Sequence, residues 1–98
     1  LQLVADLMKK YPKIIVQIRA HTDSRGNDKY NMNLSNERAI TAMQWIVKKG
    51  TDKNRIFAAG FGESELLNEC RNEINCSDEK HEINRRIDFV ILNPDTIR

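Results

Sequence analysis

KIIVQIRAHTDSRGNDKYNMNLSNERAITAMQWIVKKG, residues 13 to 50, changes its apolar period once, and the change decides the fold. Ile14, Val16, Ile18 and Ala20 alternate with Gln17 and Arg19, the period of a half-buried strand. From about Asp28 to Lys49 the repeat becomes three and four, with Ala39, Ala42, Met43 and Ile46 on one stripe and Val47 beside it. Lys48, Lys49 and Gly50 close that helix, because cations suit the negative end of the helix dipole and glycine takes the left-handed cap. Downstream, NRIFAAGFGES predicts a second strand over about Arg55 to Gly60, with Gly60 and Gly62 read as the turn that follows. Strand, helix and strand at these lengths make a βαβ unit with parallel strands and a right-handed crossover.

The flanks complete the frame. Leu1, Val4, Met8 and Tyr11 fall at helical spacing, with Leu7 beside them, until Pro12 ends the run. Residues 62 to 84 are polar and irregular, with one helical turn near Asp78 to Ile83. RRIDFVIL sets Ile87, Phe89 and Ile91 against Arg86, Asp88 and Val90, a third strand, and the tail after Pro94 is expected to fray. The fold class is therefore α/β: a βαβ unit plus a further strand in a mixed sheet, with helices packed on one face. A length of 98 residues supports one domain, 1–98, with its core in 14–92.

Composition narrows the function. Apolar residues at 40% and charged residues at 31% describe an ordinary globular domain. Sixteen basic against fourteen acidic residues, mixed along the chain, leave no one-signed field of the kind nucleic acid or an anionic membrane requires. No apolar run approaches the ~18 residues of a membrane span, and none has a signal peptide's pattern. Leu1 opens in what reads as mid-helix, so a longer chain is expected, with any membrane attachment upstream. Cys70 and Cys76 are separated by five intervening residues in CRNEINC, wrong for a CxxC redox or zinc site. A loop-closing disulfide is the better reading, in an oxidising compartment; two free thiols are the alternative.

The loop TDSRGN leaves the end of a strand, where ligands of α/β sheets bind. Asp23 suits a cation, and Gly26 lets the chain turn; an Asx turn in which Asp23 caps its own loop is the plainer reading. Asn31, Leu34 and Arg38 share one helix face, which should overlook that loop. A carboxylate facing a guanidinium suits a zwitterionic head group, Asp23 gripping an ammonium and Arg38 a carboxylate. A direct Asp23–Arg38 bridge is the competing reading. GFGES is not a dinucleotide fingerprint, since its third glycine would fall at Glu65. His21 and Asp23 have a metal-like spacing without a third ligand nearby, and His81 is isolated. No Ser, Thr or Cys has an evident base. Arg85 and Arg86, in NRR, open a strand as a salt-bridged feature or line the same cleft.

Taken in order, HTDSRGNDKYNMNLSNERA, GFGES and NRRIDFVI resemble the OmpA-like peptidoglycan-binding domain over about Ile14 to Ile91. Thr22, Asp23, Gly26, Asn31, Leu34, Ser35, Arg38 and Ala39 match the family pattern in order and spacing. The resemblance implies a non-catalytic module that anchors an outer-membrane protein to the cell wall in the periplasm, without cofactor or metal. Its ligand would be the diaminopimelate of the peptidoglycan stem peptide, held by Asp23 through the side-chain ammonium and by Arg38 through the carboxylate. Thr22, Asn31 and loop N–H groups would support it, with Arg85 or Arg86 lining or bracing the pocket. Ala20 departs from a glycine common before His-Thr-Asp, and the insert bearing Cys70 and Cys76 is longer than a minimal family loop; its resemblance to outer-membrane versions supports the disulfide. The family's N-terminal strand has no counterpart here, which predicts an open sheet edge and makes a homodimer a candidate partner. The competing functions are a metal-dependent hydrolase of the cell wall using His21 and Asp23, and a purely structural dimerisation domain.

Overall fold

The computed structural model describes residues 1–71 and 74–97. In chain order it has α1 (Gln2–Lys10), β1 (Val16–His21), α2 (Asp28–Lys48), β2 (Ile56–Gly62), α3 (Asp78–Asn84) and β3 (Arg86–Ile91), with short 3-10 turns at Lys53–Arg55 and Pro94–Ile97. The sheet order is β2-β1-β3, with β1 parallel to β2 and antiparallel to β3. The parallel β1–β2 pair is the one that the change of period predicts, and the antiparallel β3 makes the sheet mixed.

Alternation puts Val16, Ile18 and Ala20 on one face of β1, and all three are buried. Ala39, Ala42 and Ile46 of α2 and Ala5 and Met8 of α1 join them in one core cluster, so both helices cover that face. Each fully buried isoleucine, such as Ile18 or Ile46, contributes about 1.5–3 kcal/mol. On the other face Gln17 and Arg19 are only partly covered and Phe57 is 51% exposed. Arg55 ties the end of α1 to the sheet by donating to the carbonyls of Met8, Tyr11 and Ile14.

Three expectations need correction. Gly60 and Gly62 do not form a turn; β2 continues through Gly62 and the turn begins at Glu63. Gly60 is there because α2 lies directly on the strand: a Cβ at this position would sit 2.6 Å from the Ser35 carbonyl carbon and closer still to Asn36 N. Arg85 does not open β3 but ends α3, its N–H donating to Glu82 O. Beyond Pro94 the tail coils into a 3-10 turn, and Arg98 lies outside the described residues. The segment before it is anchored, with Asn93 accepting from Ile15 N and donating to Lys13 O.

The β3 register sets Ile87, Phe89 and Ile91 opposite Ala20, Ile18 and Val16, hence on the helix-bearing face as alternation predicts. Ile87 is nonetheless 39% exposed, because β3 is an outer strand and the helices do not reach over its first turn of residues.

Gly60→Ala is expected to cost about 3 kcal/mol, since backbone of α2 and not a flexible side chain occupies the space. Urea denaturation of the two proteins checks this, with an unchanged midpoint as the contrary result.

Candidate functional site

The carboxyl ends of β1 and β2 lie side by side, and a bulge between Ala20 and His21 shifts the register so that His21 pairs with Gly62. Thr22 prolongs the pairing by donating its N–H to Gly62 O at 2.8 Å, and its hydroxyl donates to Asp23 O at 3.0 Å. From there the chain must reach the first turn of α2. Gly26 makes the turn in the left-handed region, at φ +92°. Asn27 then caps α2, accepting from Lys29 N and Tyr30 N, which is worth about 1 kcal/mol.

Asn31 fixes the loop from the helix side: its buried amide donates to Asp23 O at 3.3 Å and to Arg25 O at 3.0 Å. Thr22 and Asn31 are therefore scaffolding of the loop itself.

Asp23 is 5% exposed. Its Oδ1 accepts from Arg25 N at 2.9 Å, which is the Asx turn, and its Oδ2 accepts from Arg25 Nη2 at 2.8 Å. Arg85 Nε lies 3.4 Å from the same Oδ2. Burial pushes the Asp23 carboxyl up, but the Arg25 side-chain and backbone bonds and the charges of Arg25 and Arg85 outweigh it, holding the group below its usual value. Asp23 is thus an anion at neutral pH.

Arg38 does not bridge to Asp23; among the described residues its guanidinium has no ion pair. It lines a cleft of about 290 Å³ together with His21, Arg85, Arg86 and Ile87. Arg85 belongs to both places, touching Asp23 on one side and lining the Arg38 cleft on the other, while its Nη2 pairs with Glu82 at 2.8 Å. Arg86 is braced by Asp88 at 3.1 Å and by the Glu65 carbonyl at 3.1 Å. The structure therefore gathers Thr22 and Asp23 in one loop, with Asn31 of α2 bonded to it, and Arg38, Arg85 and Arg86 around the adjoining cleft.

His21 faces away from metal chemistry. Its ring stacks on Phe61, and Nε2 lies 3.2 Å from Asp88 Oδ2 without hydrogen-bonding geometry. Burial first, then the charge of Arg86, lower its pKa against the pull of Asp88, so the ring is neutral near pH 7. The one group of possible ligands close enough for a metal among the described residues is Glu69, Cys70 and Cys76, and both sulfurs are consumed in a disulfide with S–S 2.09 Å.

Two participants escaped the sequence reading. Arg25 stands two residues beyond Asp23, a spacing at which an Asx turn brings its guanidinium back onto the carboxylate. Glu63 directly follows Gly62 at the end of β2, beside Asp28 and Asn31. Burial, then the Asp28 carboxyl, raise it against the Asn31 amide, and its pKa is pushed up to about 7. The signal for Glu63 was its place just after a strand end, which only the strand's true length reveals.

The chain belongs to the OmpA family, whose family model matches residues 1–80. It is 39% identical over 85 residues to outer membrane porin F of Pseudomonas fluorescens, covering 87% of this chain and 24% of that protein. It is 30% identical over 86 residues to the peptidoglycan-associated lipoprotein of Legionella pneumophila, covering 88% of this chain and 46% of that protein. The chain spans less than half the length of either relative. Among solved structures it matches the peptidoglycan-associated lipoprotein of Burkholderia pseudomallei with a TM-score of 0.80 at 24% identity, over 92% of this chain and 72% of that one. It matches the cell wall anchor of the type VI secretion system of Pseudomonas aeruginosa with a TM-score of 0.73 at 27% identity, over 90% and 60%.

Glu63 gives a pH dependence of definite sign. Between its ordinary value of 4.5 and about 7 the native chain holds a proton that the unfolded chain has released, so this stabilisation is complete below the lower value and lost as pH rises through the upper. Glu63→Gln is expected to lose less stability than the parent between pH 5 and 8 in urea titrations; parallel losses would contradict the shift.

Proposed function

We propose that this domain is a non-catalytic peptidoglycan-binding module that holds the diaminopimelate of a stem peptide and anchors an outer-membrane protein to the cell wall from the periplasm. Two relatives carry the wall in their names, one as a peptidoglycan-associated lipoprotein and one as a cell wall anchor. The observation that carries the reading is a division of charge: a buried, ionised Asp23 in a fixed loop, and an Arg38 without an ion pair among the described residues on the wall of the cleft that Arg85 joins to it.

Diaminopimelate ends in an ammonium and a carboxylate at its side-chain centre. The ammonium goes to Asp23, whose two oxygens offer about four lone-pair directions, two of them engaged by Arg25 N and Arg25 Nη2, with Arg85 Nε 3.4 Å from Oδ2. An incoming ammonium takes a remaining direction or displaces the Arg25 side chain, which is 41% exposed and has Asp78 as a second partner. The carboxylate goes to Arg38, with Arg85 between the two ends. Arg86, the first residue of β3, is held by Asp88 and the Glu65 carbonyl, and Thr22 and Asn31 hold the loop. The disulfide Cys70–Cys76 accords with an oxidising periplasm. A metal-dependent hydrolase finds no support in the place His21 occupies.

Single-site affinity is expected to be modest, because the ammonium must compete with a bond the loop already makes. Asp23→Asn and Arg38→Ala should each weaken binding of a diaminopimelate-containing muropeptide about ten- to a hundredfold, the worth of one charge-assisted bond. Calorimetric titration measures it, with a lysine-containing muropeptide as control: lysine lacks the second carboxylate, so the parent should bind it as weakly as Arg38→Ala binds the first ligand. Undiminished binding by both variants would remove the assignment.

A further inference from the structure

A second cleft, of about 340 Å³, opens beside the Asp23 loop, between Ser24 and Arg25 and the insert closed by the disulfide. Arg71, Asn75, Asp78 and His81 complete its lining. Its two walls are joined, since the buried Ser24 hydroxyl donates to the Cys70 carbonyl.

The cleft is cationic once its internal pairs are set aside. Its lining carries the guanidinium groups of Arg25 and Arg71 against the single carboxylate of Asp78, and Arg25 is shared between Asp23 and Asp78, at 2.8 and 2.9 Å. Arg71 has no ion pair among the described residues. His81 is 6% exposed, and its Nδ1 has no hydrogen-bond partner among the described residues. A buried polar nitrogen without a partner is rare in a folded domain and is relieved by any ligand atom that pairs with it. An unpaired guanidinium, a side-chain amide and an unpartnered imidazole nitrogen around one cleft form a receptor for a carboxylate.

We infer that this cleft is a second subsite, built by the disulfide insert, which takes a free carboxylate of the same stem peptide that presents its diaminopimelate to Asp23 and Arg38. The inference rests on the diaminopimelate reading and adds to it a residue set, Arg71, Asn75 and His81, beside the same short loop. Ser24 and Arg25 follow Asp23 directly and line the second cleft, and an extended peptide advances about 3.5 Å per residue, so the neighbouring residues of the stem can reach it. The disulfide has a role here: it restrains the wall carrying Arg71 and Asn75, so that the carboxylate meets a formed site.

The test compares three probes by calorimetry: free diaminopimelate, a stem tripeptide with diaminopimelate at its end, and the same tripeptide with the carboxylates outside its diaminopimelate amidated. The parent should bind the free-carboxylate tripeptide roughly tenfold tighter than the amidated one. Arg71→Ala, an exposed substitution, should erase that preference while leaving the affinity for free diaminopimelate unchanged, and Cys70→Ser with Cys76→Ser should reduce it. Indifference of the parent to amidation, or a preference that survives Arg71→Ala, overturns the subsite while the Asp23–Arg38 site stands. If the parent binds none of the three probes, the diaminopimelate reading falls, and the subsite falls with it.

Discussion

The structure depends on one close approach, that of α2 to the backbone of β2 at Gly60. Without a side chain between them, Asn36 Oδ1 accepts from Gly60 N and Ser35 Oγ accepts from Gly62 N, each within 2.9 Å. A helix normally meets a sheet through two layers of side chains; here polar groups of the helix bond directly to the strand. The contact sets the height of α2 above the sheet and so the path of the loop that joins β1 to it. Gly62, whose carbonyl receives Thr22 N, ties the same contact to the first residue of the loop. Spacing that looks like a ligand motif in the sequence is in part the means by which α2 grips β2: of the matched positions, Ser35 serves this contact and Asn31 the loop.

On that frame the loop carries a buried anion, which is costly unless the anion is paired and bonded. Asp23 meets the requirement with its own neighbour Arg25 and with Arg85 from the end of α3, two segments far apart in sequence. The last turn of α3 is itself held from below, where the buried Asn84 side chain accepts from Leu67 N and donates to Asn68. The insert between β2 and β3 is consequently more than a connection. It delivers Arg85 to Asp23, and its disulfide and the Ser24–Cys70 bond fasten it to the loop it serves.

The elements were legible where burial imposes a period. Ile14, Val16, Ile18 and Ala20 announce β1, and Ala39, Ala42 and Ile46 announce the buried stripe of α2, because each must face one core. The end of β2 was not legible, since glycines in a strand and glycines in a turn look alike until the helix that excludes a Cβ is in place. The partners of Asp23 were legible only in part. The family pattern brings Asp23 and Arg38 to notice, but Arg25 lies in no pattern, and which of the arginines beside Asp88 meets Asp23 depends on α3 ending one residue before the strand begins. Glu63 likewise holds its proton because of burial and of Asp28, a three-dimensional neighbour that no period relates to it.

The pairing inside the loop also bears on how such a module could work. A bare buried carboxylate would bind an ammonium tightly but would destabilise the loop whenever the ligand left. Filling Asp23 with Arg25 removes that penalty in the free state and exacts a smaller one on binding, because Arg25 keeps Asp78 as a second partner at 2.9 Å when it releases Asp23. On the proposed reading one charge-assisted bond is exchanged for another, so the net gain per site is modest. A cell wall presents the same stem peptide many times, and an anchored protein meets it at high effective concentration, which turns weak sites into firm but reversible attachment. On the proposed reading, then, the Asp23–Arg25 pair is what lets the anchor hold collectively and release singly.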